Sequence, residues 1–123
     1  MVNWSSLETV FLDMDGTLLD LHFDSHFWLE HLPLRYAERH NLAHQDAKDH
    51  VIPMIMAERG TLNWYCTDYW SNRLALDITE LKSEVGDKIG YRPHVVHFLD
   101  ALHEPCLRTA LVTNTHPETM CHK

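Results

Sequence analysis

Two short apolar runs, Val10-Phe11-Leu12 within Glu8 to Met14 and Ala110-Leu111-Val112 within Thr109 to Thr113, lie near opposite ends of the chain. Each mixes β-branched, aromatic or aliphatic residues and is short enough for a strand. Each ends at a polar break, Asp15-Gly16 after the first and Asn114 after the second. Nearly everything between them has helical spacing. A strand, a helix and a second strand in that order imply a right-handed parallel crossover. The first run is therefore expected to be a buried, parallel strand.

The intervening helices are expected as follows. One begins at His26-Phe27-Trp28-Leu29, with Pro33 as an interruption or a new start. A second runs from Ala43 to Arg59, with Val51, Ile52, Ile55 and Met56 on one side, Pro53 inside it and Gly60 as its stop. A third, aromatic-rich, runs from Asn63 to Leu76. A fourth runs from Asp77 to Val85, with Asp77 as cap and Glu80 three residues on. Gly90-Tyr91-Arg92-Pro93 reads as a turn. His94 to His103 is a helix with Val95, Phe98, Leu99 and Leu102 on one face, ended by Glu104-Pro105. Thr115-x-x-Glu118 with Pro117 starts a further helix.

Composition narrows the function. The chain has 123 residues and a formal charge of −8, an ordinary globular balance for one domain. The acid excess argues against a nucleic-acid polymer as partner, which needs a basic stripe. It leaves a small phosphorylated metabolite open, because one metal ion reverses the local sign of charge. Met1 to Leu7 lacks a basic region and a cleavable apolar core, and no apolar run reaches membrane length. Cys66, Cys106 and Cys121 are odd in number and widely spaced, which supports neither a disulfide framework nor a zinc knuckle. The expectation is a cytoplasmic chain with reduced thiols and no membrane partner.

The chemistry concentrates at Asp13-Met14-Asp15-Gly16-Thr17. In an extended chain, carboxylates at i and i+2 face the same side, and ligands of α/β sheets bind beyond the carboxyl ends of strands. Two adjacent carboxylates are kept together by a cation or by a shared proton. Mg²⁺ suits such a pair, because it takes hard oxygen ligands and phosphate. One carboxylate can attack phosphorus and the other can exchange protons. Gly16 permits backbone conformations that bring N–H groups toward a phosphate. As four residues alone, Asp-x-Asp-Gly is also an ordinary turn at a strand end.

The longer string Phe11-Leu12-Asp13-Met14-Asp15-Gly16-Thr17-Leu18-Leu19-Asp20 resembles motif I of the haloacid dehalogenase-like (HAD) phosphohydrolases. Leu111-Val112-Thr113-Asn114 resembles their motif II, and helices after motif I resemble their helical cap. Asp20 to Asp24, Thr61 to Trp70 and Leu111 to Pro117 resemble the bacterial GMP/IMP nucleotidase branch. The resemblance implies an α/β fold: a partial Rossmannoid core of parallel strands with an inserted α-helical cap. Core segments would be 1–19 and 92–123, and the cap 20–91. It implies an Mg²⁺-dependent phosphohydrolase acting on purine nucleoside 5′-monophosphates through an aspartyl-phosphate, or on another small phosphate ester such as a sugar phosphate. Asp13 would be nucleophile and metal ligand. Asp15 would be the general acid/base and hold the metal through its backbone carbonyl. Thr113, Asn114 and Gly16 would hold the phosphoryl group.

His22, Asp24, Trp64 and Tyr65 are candidate substrate contacts from the cap. Trp64, Tyr65, Tyr69 and Trp70 could stack on a purine, but the same spacing suits a helix packing on its neighbours. The 11 histidines include i,i+4 pairs at His22/His26 and His40/His44. None forms a zinc motif, so surface positions are expected. The family also needs a later lysine and a later acidic pair. Lys123 lies too close to motif II to be the first, and no acidic pair follows Asn114. The expectation is an N-terminal part of a nucleotidase, with negligible turnover by the 123 residues alone. A noncatalytic helical module that binds a partner is the reading from another class.

Overall fold

The computed structural model describes residues 1–103, 107–121 and 123. The expected stop at Glu104-Pro105, Cys106 and His122 lie outside the described residues. The chain divides into two units. One comprises Met1–Leu21 and Gly90–Thr113, and the other comprises His22–Ile89 and Asn114–Lys123. The segment after Thr113 thus groups with the helices rather than with the strands. No helix among the described residues is long and apolar enough to cross a membrane.

The first unit holds both strands. β1 (Thr9–Leu12) pairs in parallel with β2 (Arg108–Leu111), with Thr9 opposite Arg108 and Leu12 opposite Leu111. The parallel crossover expected from the sequence is present. The expected burial is not: Phe11 is 71% exposed, and Leu111 and Val112 are about half exposed. A parallel sheet is buried only when layers cover both faces, and a two-stranded one has too little width to be covered. The crossover helix of this unit spans Val95–His103, with Val95 and Leu102 buried but Phe98 exposed.

The second unit is helical. α1 (His22–His26) runs through a π turn at Phe27–His31 into α2 (Leu32–His40). The Leu32 N–H donates to the Phe27 carbonyl, five residues back. The cause is Pro33, which lacks an N–H and whose ring would crowd the carbonyl four residues earlier. The wider π turn relieves that crowding without ending the helix. Pro33 is therefore both an interruption and a new start.

α3 (His44–Ala57) continues through Pro53, and Gly60 follows it at φ +87°. Val51 and Ile55, on either side of Pro53, are buried. Their burial offsets the ladder bond that proline removes. The expected single helix from Asn63 to Leu76 is instead a 3₁₀ turn, Leu62–Tyr65, and α4 (Thr67–Leu74). Cys66 between them is extended, and its Sγ accepts the Tyr69 N–H at 3.4 Å. A thiol thus caps the helix, where hydroxyl and carboxylate caps are the usual signal.

α5 (Ile78–Ser83) begins as expected, with Asp77 Oδ1 accepting the Glu80 N–H at 2.9 Å. The crossover helix of the first unit is α6 (Val95–His103), and α7 is a single turn, Pro117–Met120. His116, not Thr115, stands at the cap position of α7. Phe23, Phe27, Leu32, Val51, Ile55, Trp70, Leu74, Ile78 and Val85 form the core of the helical unit. Full burial contributes about 1.5–3 kcal/mol for each large apolar side chain.

Candidate active site

The strand register sets the site. Val112 N–H donates to the Leu12 carbonyl at 2.8 Å, continuing the ladder one residue past β2. Asp13 and Thr113 therefore leave the sheet at the same carboxyl edge, where α/β sheets place their ligands. Asp13 is exposed, and Asp15 and Thr113 are half-buried.

The chain does not stay extended through Asp15. The Met14 carbonyl accepts the N–H groups of Leu18 at 3.0 Å and Leu19 at 2.9 Å. Met14 itself is buried. The two acids are thus presented by a tight loop anchored at Met14, rather than by the simple i,i+2 alternation of a strand. Gly16 has φ +78°, a conformation that favours glycine. Its N–H donates to the Leu19 carbonyl at 2.8 Å, inside the loop. The glycine's part is therefore to make the turn, and its own N–H is engaged there.

Two residues join the site that the sequence reading did not single out. The Thr17 hydroxyl donates to Asp13 Oδ2 at 3.2 Å. Arg92 Nη1 donates to the Gly16 carbonyl at 2.8 Å. Thr17 could have been suspected from its closeness in sequence to Asp13. Arg92 has no such signal, because only the fold brings it to Gly16.

The remaining candidates belong to the helical unit. Asn114 is exposed, and His22 is exposed at the start of α1. Asp24 accepts an ion pair from Lys123 Nζ at 2.7 Å. Trp64 and Tyr65 lie on the 3₁₀ turn; Trp64 packs on the core and Tyr65 is 46% exposed. Trp70 is fully buried and is a core residue. Tyr69 donates from its hydroxyl to Glu58 Oε1 at 2.8 Å. Glu58 Oε2 also accepts from Thr61 Oγ1 at 2.9 Å and Asn63 Nδ2 at 3.1 Å. These bonds, that from Tyr69 foremost, hold the Glu58 carboxyl below the usual carboxylate range.

Of the histidines described, His22, His40, His44, His50, His94, His97 and His103 are exposed, and His26, His31 and His116 are half-buried. Among the described residues no group of three or more His, Cys, Asp or Glu is arranged to hold a metal ion.

No protein-family model matches the chain. It is 38% identical over 122 residues to the GMP/IMP nucleotidases YrfG of Escherichia coli (strain K12) and Shigella flexneri. The match takes in 99% of this chain and 55% of those proteins. The chain thus spans about half the length of the curated relatives it matches. A crystal structure of a HAD phosphatase from Thermococcus onnurineus shares the fold, with a TM-score of 0.76 at 18% identity. That likeness covers 94% of this chain and 54% of that one. With parallel strands, a loop carrying Asp13 and Asp15 and a helical unit between the strands in sequence, the chain carries part of the fold seen in that HAD phosphatase.

Proposed function

We propose that these residues belong to an Mg²⁺-dependent phosphohydrolase that dephosphorylates purine nucleoside 5′-monophosphates through an aspartyl-phosphate on Asp13. The observation that carries the reading is the strand register, which brings Asp13 and Thr113 out at one sheet edge. The likeness to the E. coli and S. flexneri relatives, both GMP/IMP nucleotidases, supports the substrate class.

The donor chemistry fits Mg²⁺. Asp13 offers an exposed carboxylate, and Asp15 follows two residues on in the same loop. Two hard oxygen donors suit an ion that fills its other positions with water and phosphate. The metal would neutralise phosphate charge and orient the phosphoryl group.

The residues would divide the work as follows. An Asp13 oxygen attacks phosphorus while the bond from phosphorus to the nucleoside O5′ breaks. Asp15 gives its proton to that leaving oxygen. Asp15 then takes a proton from water as the water attacks phosphorus and releases Asp13. The Thr113 hydroxyl and Asn114 amide hold the phosphoryl oxygens. Thr17, donating to Asp13, keeps that carboxylate in one rotamer.

Phosphate release from GMP, IMP and a panel of sugar phosphates tests the reading. The enzyme assayed would contain these 123 residues within a chain of the relatives' length. Mg²⁺-dependent release from GMP and IMP, lost in Asp13→Asn, is the expected result. Preference for a sugar phosphate would overturn the substrate class, and turnover retained by Asp13→Asn would overturn the mechanism.

A further inference from the structure

We infer that Arg92 is a positioning residue for the Asp13–Asp15 loop, acting through the carbonyl of Gly16; the inference rests on the reading of that loop as the phosphoryl-transfer site. Two backbone hydrogen bonds, which together make one antiparallel bridge, lace the segment after Asp15 to the segment around Arg92. The Asp20 N–H donates to the Gly90 carbonyl at 2.9 Å, and the Arg92 N–H donates to the Leu18 carbonyl at 3.0 Å. The bridged residues between them are Leu19 and Tyr91. A Cβ at Gly90 would stand 3.2 Å from Asp20 Oδ2, so the two segments approach closely at that end.

This ladder stops at Leu18. Beyond it the loop has its internal bonds, to the Met14 carbonyl, from the Gly16 N–H to the Leu19 carbonyl and from Thr17 to Asp13, and a side-chain bond from Arg92 Nη1 to the Gly16 carbonyl ties it to the segment around Arg92. Gly16 directly follows Asp15 and sits at φ +78°. A glycine there has wide backbone freedom, which must be restricted if the neighbouring carboxylate is to hold one position. A guanidinium donating to the carbonyl on the far side of that glycine supplies the restriction. Arg92 acts on the Gly16 carbonyl and not on a reacting atom. Its effect is on where Asp15 points.

Nuclear magnetic resonance on the labelled 123-residue chain tests this. Arg92→Met keeps the backbone N–H and the apolar stem and removes only the side-chain donors. The order parameter of the Gly16 N–H is expected to fall from the rigid value of about 0.85 to below about 0.6. The Val10 and Thr109 amides in the sheet should keep wild-type values, and Arg92→Lys should restore most of the Gly16 order. Unchanged Gly16 order in Arg92→Met would overturn the inference. So would equal loss of order at Gly16, Val10 and Thr109, which would make Arg92 a general stability residue. The underlying reading is checked separately with Mn²⁺ alone as probe, added to a chain of the relatives' length that contains these residues. Broadening centred on Asp13, Asp15 and Gly16 and abolished in Asp13→Asn supports it. Absence of such broadening there overturns the metal reading and leaves the order-parameter test of Arg92 standing.

Discussion

Lys123 places its Nζ 2.7 Å from Oδ2 of Asp24, almost the whole length of the chain away in sequence. The lysine side chain is 2% exposed and the aspartate side chain 24%. The ammonium also lies 5.2 Å from the centre of the Phe23 ring. Asp24 is one of the candidate substrate contacts, and in the fold its Oδ2 is paired with this cation.

The burial is unequal, so the two halves of the pair are not equivalent. Asp24→Ala leaves a buried ammonium without this carboxylate, whereas Lys123→Met leaves a carboxylate that water already reaches. Breaking a buried pair costs about 3–5 kcal/mol, and the partial exposure of Asp24 brings the expected cost of Asp24→Ala down to about 2–3 kcal/mol. Lys123→Met should cost about 1 kcal/mol or less, since it removes the buried charge. Urea unfolding followed by helical circular dichroism checks the order. Equal costs would show that the ion pair is not the reason.

The Glu58 network makes a pH prediction. Hydrogen bonds from Tyr69, Thr61 and Asn63 hold the folded carboxyl below its ordinary value. A depressed carboxyl adds stability that is fully present above the unfolded value of about 4.3 and is lost as pH falls through the folded value. The turn carrying Trp64 and Tyr65 is therefore expected to loosen only in acid. Tyr69→Phe removes the largest contribution, so the Glu58 side-chain carboxyl resonance should titrate at higher pH in that variant. An unchanged titration would show that the tyrosine bond does not stabilise the charged form.

Ala75 ends α4 in the left-handed region, at φ 53°. A residue with a Cβ is strained there by about 1–2 kcal/mol, and glycine is not. Part of that relief is offset by the greater freedom of glycine in the unfolded chain. Ala75→Gly is therefore expected to stabilise the protein by about 0.5–1 kcal/mol. Thermal unfolding should show a higher midpoint, and a lower one would mean that the Ala75 methyl makes contacts that outweigh its strain.

The parts of the fold that were legible in the sequence are those whose cause is local. The Asp77 cap is a side chain bonding three residues ahead, and the strands are short apolar runs closed by polar breaks. Of the candidate site, the place of Asp13 at the carboxyl edge of the sheet was legible, because it directly follows the apolar run that forms β1. What escaped depends on geometry that spacing does not encode. The π turn before Pro33 needs the proline ring and a continuing helix together. The break at Cys66 needs a thiol to act as a cap. The pairing of Arg92 with Gly16 needs the chain to return from the helical unit. The exposed face of Phe11 follows from sheet width, which no window of residues reports.

The same sheet bears on activity. Among the described residues two strands lead into Asp13, Asp15 and Thr113, and no third acid joins the pair to complete a metal cluster. Phosphoryl transfer depends on fixed charge and position around the phosphate. The 123-residue polypeptide is accordingly expected to release no phosphate from GMP or IMP above background, while a chain of the relatives' length does. In that longer chain Asp13→Asn should lose the nucleophile and reduce kcat by on the order of 10³-fold or more. Asp15→Asn should cost about 10²–10⁴-fold, the range for a general acid, and should cost least with a substrate whose leaving group needs no proton. A nitrophenyl phosphate supplies such a leaving group. If Asp15→Asn slowed GMP and nitrophenyl phosphate equally, proton donation to the leaving oxygen would not be the step it controls, and its part would lie in activating water on the aspartyl-phosphate.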